Sequence, residues 1–300
     1  MPIPLLHRIR GATVAAPDVD AVVSIYTKWL GYRVFETGKV DVAQATSWGA
    51  PAMVGRKSVV LQPASNDDVT LRVVEIDAVA NHRPLSTWGW GAIEILVEDP
   101  LKLNRKLTDS PFMVIGKPRA LDGFPTIVAM QVRGAANEVI YLTADTGPRA
   151  KSLLAEAGAF VGRPFIMVVA CDNAARVQTW YAKTFRMAKG PINTSRIDVI
   201  QQAQGLPADH VFPMGFMPMR EPSNFIEFDG YPAGTGPRPR NHGQLPPGVA
   251  LASFEVASLG KLKLAYLAAP ARLAGKPYGG RRSATLVGPA GELIELIEAA

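Results

Sequence analysis

The sequence predicts an α+β chain of four βαβββ units in two pairs, and three observations lead there. An apolar strand runs into a helix-capping residue four times, at a spacing of roughly 80 residues. A helical apolar pattern follows the caps, and each unit closes on a strand in which apolar and polar residues alternate with a period of two. The last of these strands, Gly291-Glu-Leu-Ile-Glu-Leu-Ile-Glu298, places Glu295 between Leu293 and Ile297 on one face.

The four strand-and-cap segments are Gly11 to Asp18, Ala92 to Asp99, Phe165 to Asp172 and Leu251 to Ser258. Asp and Ser are good N-cap residues, and Pro100 sits where an N1 proline is expected. Helical spacing then joins Val22, Ile25, Tyr26 and Trp29 in the first unit, Leu103 and Leu107 in the second, Val177, Trp180, Tyr181 and Phe185 in the third, and Leu259, Leu262 and Tyr266 in the fourth. The closing strands align Val69 to Glu75, Asn137 to Thr143, Ser223 to Asp229 and the C-terminal strand, so that Arg72, Tyr141, Glu227 and Glu295 share one slot.

A second repeat of about 155 residues relates Val40-Asp-Val-Ala-Gln-Ala-Thr-Ser-Trp-Gly-Ala-Pro51 to Ile197-Asp-Val-Ile-Gln-Gln-Ala-Gln-Gly-Leu-Pro207. Both read as a short helix stopped by Gly and Pro. This duplication divides the chain into modules 1–148 and 149–300, with a helix or linker from Arg149 to Gly162 and a Pro/Gly-rich linker from Tyr231 to Gly248.

With 300 residues, 48% of them apolar, the chain has ample material for packed cores. No apolar run approaches the ~20 residues of a membrane span, and the N-terminus lacks a signal-peptide core. Cys171, the only cysteine, cannot form an internal disulfide. Together these features predict a cytoplasmic protein with no membrane partner. The formal charge of +6 is scattered and carries no aromatic-interleaved basic stripe, which argues against nucleic-acid binding. Nor is there a Gly-rich phosphate loop, a serine nucleophile elbow or a Cys-x-x-Cys pair.

Four βαβββ units with these caps, Tyr26-Thr-Lys-Trp-Leu-Gly31 after the first, and Gly-Glu-Leu-Ile-Glu-Leu at the end resemble the vicinal oxygen chelate superfamily. That group includes glyoxalase I, bleomycin-resistance proteins and extradiol dioxygenases. The resemblance covers nearly the whole chain and implies paired modules with U-shaped, cavity-forming sheets. It also implies a divalent metal held by His or Glu from first and last strands. Here the first-strand positions counted back from the caps are Gly11, Ala92, Phe165 and Leu251, none of which can ligate a metal through its side chain. By this reading no cofactor is expected; a metal, if one binds, falls to Glu227 and Glu295.

By resemblance to the dioxygenases the second module is the working one. Within it Glu227 and Glu295 are expected to face one another, each raising the pKa of the other, with His210 as a further base. Glu255, Phe165, Met167, Tyr231 and Arg220 are expected to contact substrate, as are Arg72 and Tyr141 in the first module. Methionine and phenylalanine at these positions suit an aromatic or hydrophobic small molecule. The expected activity is a lyase, isomerase or hydrolase reaction without the usual metal triad. The alternatives are a metal-dependent glyoxalase-like or dioxygenase-like enzyme and a non-catalytic binding or resistance protein. Monomer and homodimer are both open.

Overall fold

The computed structural model describes residues 3–152 and 154–300. The first unit contains β1 (Leu6–Ala16), α1 (Val19–Ile25), β2 (Arg33–Lys39), α2 (Val42–Ser47), β3 (Lys57–Gln62) and β4 (Thr70–Glu75). The second contains β5 (Thr87–Val97), α3 (Pro100–Leu107), β6 (Met113–Leu121), β7 (Phe124–Arg133) and β8 (Val139–Asp145). The third runs through β9 (Val161–Cys171), α4 (Ala174–Phe185), β10 (Ile192–Ser195), α5 (Asp198–Gln204), β11 (Phe212–Pro218) and β12 (Phe225–Gly230). After a linker carrying β13 (Gly236–Pro237), the fourth adds β14 (Gly248–Val256), β15 (Ala271–Arg272), β16 (Arg282–Val287) and β17 (Leu293–Glu298).

The caps act largely as expected. Asp18 accepts from Ala21 N at 2.9 Å and Asp99 from Lys102 N at 2.9 Å. In the third unit Asn173, not Asp172, accepts from the helix, taking Arg176 N at 2.9 Å. The fourth helix shrinks to a single turn, Leu259–Lys261: the Ser258 side chain caps no amide, Leu259 N donates to the Glu298 carboxylate, and Gly260, a poor helix former, follows at once.

The pairing of units corrects the expected modules 1–148 and 149–300. One sheet has the strand order β15-β16-β17-β14-β1-β4-β3-β2, the other β10-β11-β12-β9-β5-β8-β7-β6. The first unit is therefore joined to the fourth, through β1 and β14, and the second to the third, through β5 and β9. The two connections are of similar length, 146–160 from β8 to β9 and 231–247 from β12 to β14, and it is the second that is anchored on unit one. There Gly243 O accepts from Ala52 N at 2.9 Å and Gln244 Oε1 from Asp77 N at 2.9 Å.

The convex faces of the two sheets share one core, built from Ile9 and Val14 on one side and Ile95, Met167 and Val169 on the other, with Val22, Leu103 and Val177 from the helices. Met167, expected to line a substrate pocket, lies in this core, and so do Met217 and Met219. The concave faces point away from each other. Each is covered by the segment that the 155-residue repeat picked out: α2 with Trp48 over the first sheet, and α5 with Val199 and Ile200 over the second. Among the described residues no helix is long and apolar enough to cross a membrane.

The duplication survives as two matching ties between the sheets. Tyr181 Oη, from α4, donates to Glu292 at 2.8 Å, and Glu292 also accepts from Ala290 N at 2.8 Å. Tyr26, at the end of α1, faces Glu138, whose carboxylate accepts from Ala136 N at 2.8 Å. Burial pushes both glutamates up to about 7 against the turn amides that favour ionisation. Both acids thus bind protons more tightly in the folded chain than in the unfolded one. Their contribution is complete below the ordinary glutamate range and is lost as pH rises through about 7. Thermal melts are expected to show a higher Tm near pH 5.5 than near pH 8.5, with a shallower slope in Glu292→Gln; a Tm rising across that interval would contradict this assignment.

Candidate active site

Strand register decides which side chains meet on each concave face. Beside the last-strand slot stand Thr13 for Arg72, Glu94 for Tyr141, Val168 for Glu227 and Ser253 for Glu295. Each of these first-strand residues lies five positions before its N-cap, so Gly11, Ala92, Phe165 and Leu251 are not the adjacent positions. Glu295 and Arg72 belong to the first sheet and Glu227 to the second. The expected meeting of Glu227 with Glu295 therefore does not occur: they lie on concave faces that point apart.

On the first sheet Glu295 is fully buried and saturated with donors. Its Oε1 accepts from Trp48 Nε1 at 2.8 Å and Tyr278 Oη at 2.7 Å, and its Oε2 from Ser253 Oγ at 2.5 Å. Arg72 is sandwiched beside it, with its guanidinium carbon 5.1 Å from the centre of the Trp48 ring and 4.9 Å from that of Tyr278. Burial opposes the Arg72 charge, but Tyr278 and Glu295 outweigh it and hold the guanidinium above its ordinary pKa. A carboxylate with three donors and a guanidinium at hand needs no further partner.

The second sheet is different in kind. Glu94 on β5 and Glu227 and Asp229 on β12 are all buried and face inward, two of them separated by one residue on the same strand face. The Thr143 hydroxyl donates to Glu94. Glu227 and Asp229 approach one another without forming an aligned hydrogen bond, and both Asp229 oxygens and the Tyr141 hydroxyl are left without partners. Among the described residues no cation offsets any of the three acids. Burial pushes Glu94 up to about 7, with Thr143 opposing and Asp229 reinforcing, and pushes Asp229 up to about 7. Burial, then Asp229 and Glu94, raise Glu227 well above the carboxylate range. Phe165, Val168, Phe212 and Tyr231 supply apolar walls.

Of the residues singled out from sequence, Glu227, Tyr141, Tyr231 and Phe165 converge here. His210 does not join them as a base; its ring packs on Phe212, 4.7 Å between centroids. Glu255 is at the rim of the first sheet, held by His7 at 3.6 Å, Arg10 at 3.5 Å and Arg281 at 3.8 Å. Arg220 is exposed beside His7, 3.4 Å away, because it follows β11 beyond the sheet. Arg72 pairs with neither Glu94 nor Tyr141, which lie on the other sheet. Asp229 was legible as the next inward position after Glu227. Trp48 and Tyr278 had no signal linking them to Glu295, since both reach it from outside the strand pattern.

Neither face presents the donor set that the resemblance implies for a divalent metal. On the first sheet a guanidinium already supplies the positive charge next to Glu295. On the second, the acids are suitable oxygen donors, but among the described residues no three His, Cys, Asp or Glu side chains converge as a ligand set. Removing the internal cation should expose how far Glu295 depends on it. Arg72→Met is expected to cost about 3 kcal/mol in urea unfolding at pH 7, with Glu295→Gln in the same background recovering part of the loss. A cost within experimental error would show that the three hydrogen bonds suffice without Arg72.

No family model and no curated protein matches the sequence. Solved structures do match. A glyoxalase I mutant from Zea mays superposes with a TM-score of 0.64 at 12% identity, over 97% of this chain and 93% of that one. Unmodified glyoxalase I from Zea mays gives 0.61 at 14% identity, over 97% and 92%. A putative dioxygenase from Bacillus subtilis gives 0.61 at 9% identity, over 99% and 86%. At these identities the likeness is one of fold, and it spans all four units. The chain has the fold of the vicinal oxygen chelate superfamily, with two sheets made from four βαβββ units.

Proposed function

We propose that the protein is a small-molecule enzyme that moves protons with the buried carboxyl groups of its second sheet. The supporting observation is the cluster of Glu94, Glu227 and Asp229, three inward acids with no cation among them. Three carboxylates cannot all ionise in such a setting, because each charge lacks solvent and repels the others. At neutral pH the cluster therefore holds protons and can both give and take one.

In this reading Glu227, the acid most strongly held in its protonated form, donates to a substrate oxygen. Asp229 or Glu94, once ionised, removes a proton from the neighbouring carbon. The unpartnered Tyr141 hydroxyl is available to the developing negative charge on that oxygen. The net result is a proton shift or an elimination, the chemistry of an isomerase or a lyase. Phe165, Val168 and Tyr231 favour an aromatic or hydrophobic substrate, and α5 must swing aside for it to enter. The lone buried Cys171 suits work in the cytoplasm.

Deuterium exchange tests this across a panel of compounds. Aromatic and aliphatic ketones bearing an exchangeable C–H are incubated with protein in deuterated buffer and followed by proton NMR. Wild type is expected to speed exchange of at least one compound, and Glu227→Gln and Asp229→Asn to slow it about 100-fold. Compounds that bind without exchanging, with affinity indifferent to Glu227→Gln, would identify a sequestering protein instead.

A further inference from the structure

Outside both concave faces lies a cleft of about 190 Å³ at the seam of the two sheets, between the starts of β5 and β14, the β16–β17 turn and the linker. A cavity of roughly 150 Å³ is enough to take one benzene-sized ring. Trp88 and Trp90 form part of the wall, Pro237 faces them from the linker, and Val287 is exposed at the edge.

The polar groups around this cleft are nearly all spoken for. Trp88 Nε1 donates to Thr235 Oγ1 at 2.9 Å, and Trp90 Nε1 to Leu293 O at 2.7 Å. Glu292, the one acid in the lining, is occupied by Tyr181 and Ala290. Arg238 spends its N–H groups on neutral acceptors: Trp90 O and Val249 O at 2.7 Å, Pro247 O at 3.3 Å and Thr87 Oγ1 at 3.3 Å. Its charge has no carboxylate partner, and burial pushes its pKa down to about 10, so it is still a cation at neutrality. Arg240 is exposed at the mouth and makes no hydrogen bond or ion pair among the described residues. What remains for a ligand is an aromatic wall, an uncompensated positive field and one guanidinium with free donors.

We infer that this cleft binds a small aromatic carboxylate, with its ring against Trp88 and its carboxylate on Arg240. The ring replaces water on indole and proline surface, and the anion offsets the Arg238 charge while accepting charge-assisted hydrogen bonds from Arg240. The site is separate from the acid cluster, where an anion would be repelled.

The test titrates wild-type protein with benzoate and with benzyl alcohol, its uncharged counterpart, following heat by calorimetry and tryptophan emission in parallel. Benzoate is expected to saturate and to bind about tenfold more tightly than the alcohol. Arg240→Ala, a surface change that leaves the fold intact, should weaken benzoate about tenfold and leave the alcohol unchanged, while Glu227→Gln should alter neither. Absence of saturable heat with benzoate, equal affinity for the two probes, or benzoate binding lost in Glu227→Gln but kept in Arg240→Ala would each overturn the inference.

Discussion

A carboxyl group carried inward on a covered sheet has two ways to be tolerated: it finds donors and a counter-charge, or it keeps its proton. This chain uses both, one on each sheet. Glu295 takes the first course, held by Trp48, Tyr278 and Ser253 with the Arg72 guanidinium between the two rings. Glu94, Glu227 and Asp229 take the second, since nothing around them can bear the charge for them. Both sheets keep buried polar atoms without partners, Arg72 Nε and Nη1 and Thr285 Oγ1 on the first, the Asp229 oxygens and the Tyr141 hydroxyl on the second, but only on the second do inward acids lack a counter-charge. Function is assigned to the second sheet for this reason.

That division rests on the order in which the units join. Had the halves of the duplication closed on themselves, Glu227 and Glu295 would share a sheet and so would Arg72 and Tyr141. The linker from Tyr231 to Gly248 prevents it: Arg238 ties it to Trp90 O on β5 and Val249 O on β14, and Gln244 accepts from Asp77 N at the first unit. The last strand thereby joins the sheet of the first, with β14 between them, and Glu295 meets Trp48 from a segment 247 residues away. The two halves remain alike in their ties, Tyr181 with Glu292 and Tyr26 with Glu138, and these ties cross the shared core instead of closing a half.

Local structure was readable from the sequence wherever one segment carries the whole signal. The caps at Asp18 and Asp99, the closing strands and the paired short helices α2 and α5 all follow from spacing and capping chemistry. Asp172 and Asn173 are adjacent and equally able to cap, so spacing alone could not choose between them. Edge pairing was not readable, because β1 and β5 present edges of the same kind and the choice is made by the anchoring of distant connections. Half of the site was visible on the same grounds. Glu227, Tyr141 and Phe165 lie on strands of one sheet and Tyr231 directly follows one of them, whereas His210 and Arg220 sit two residues outside β11, where periodicity says nothing about direction.

The central claim is that the second sheet keeps protonated carboxyl groups at neutral pH. Isotope-edited infrared spectroscopy of protein carrying carboxyl-labelled Asp and Glu, recorded from pH 5 to pH 9, tests it most directly. A protonated carboxyl band that persists at neutrality, weakens toward pH 9 and is diminished in Glu227→Gln and in Asp229→Asn is the predicted result. A spectrum in which those two substitutions remove only ionised carboxylate signal at pH 6 would contradict the account.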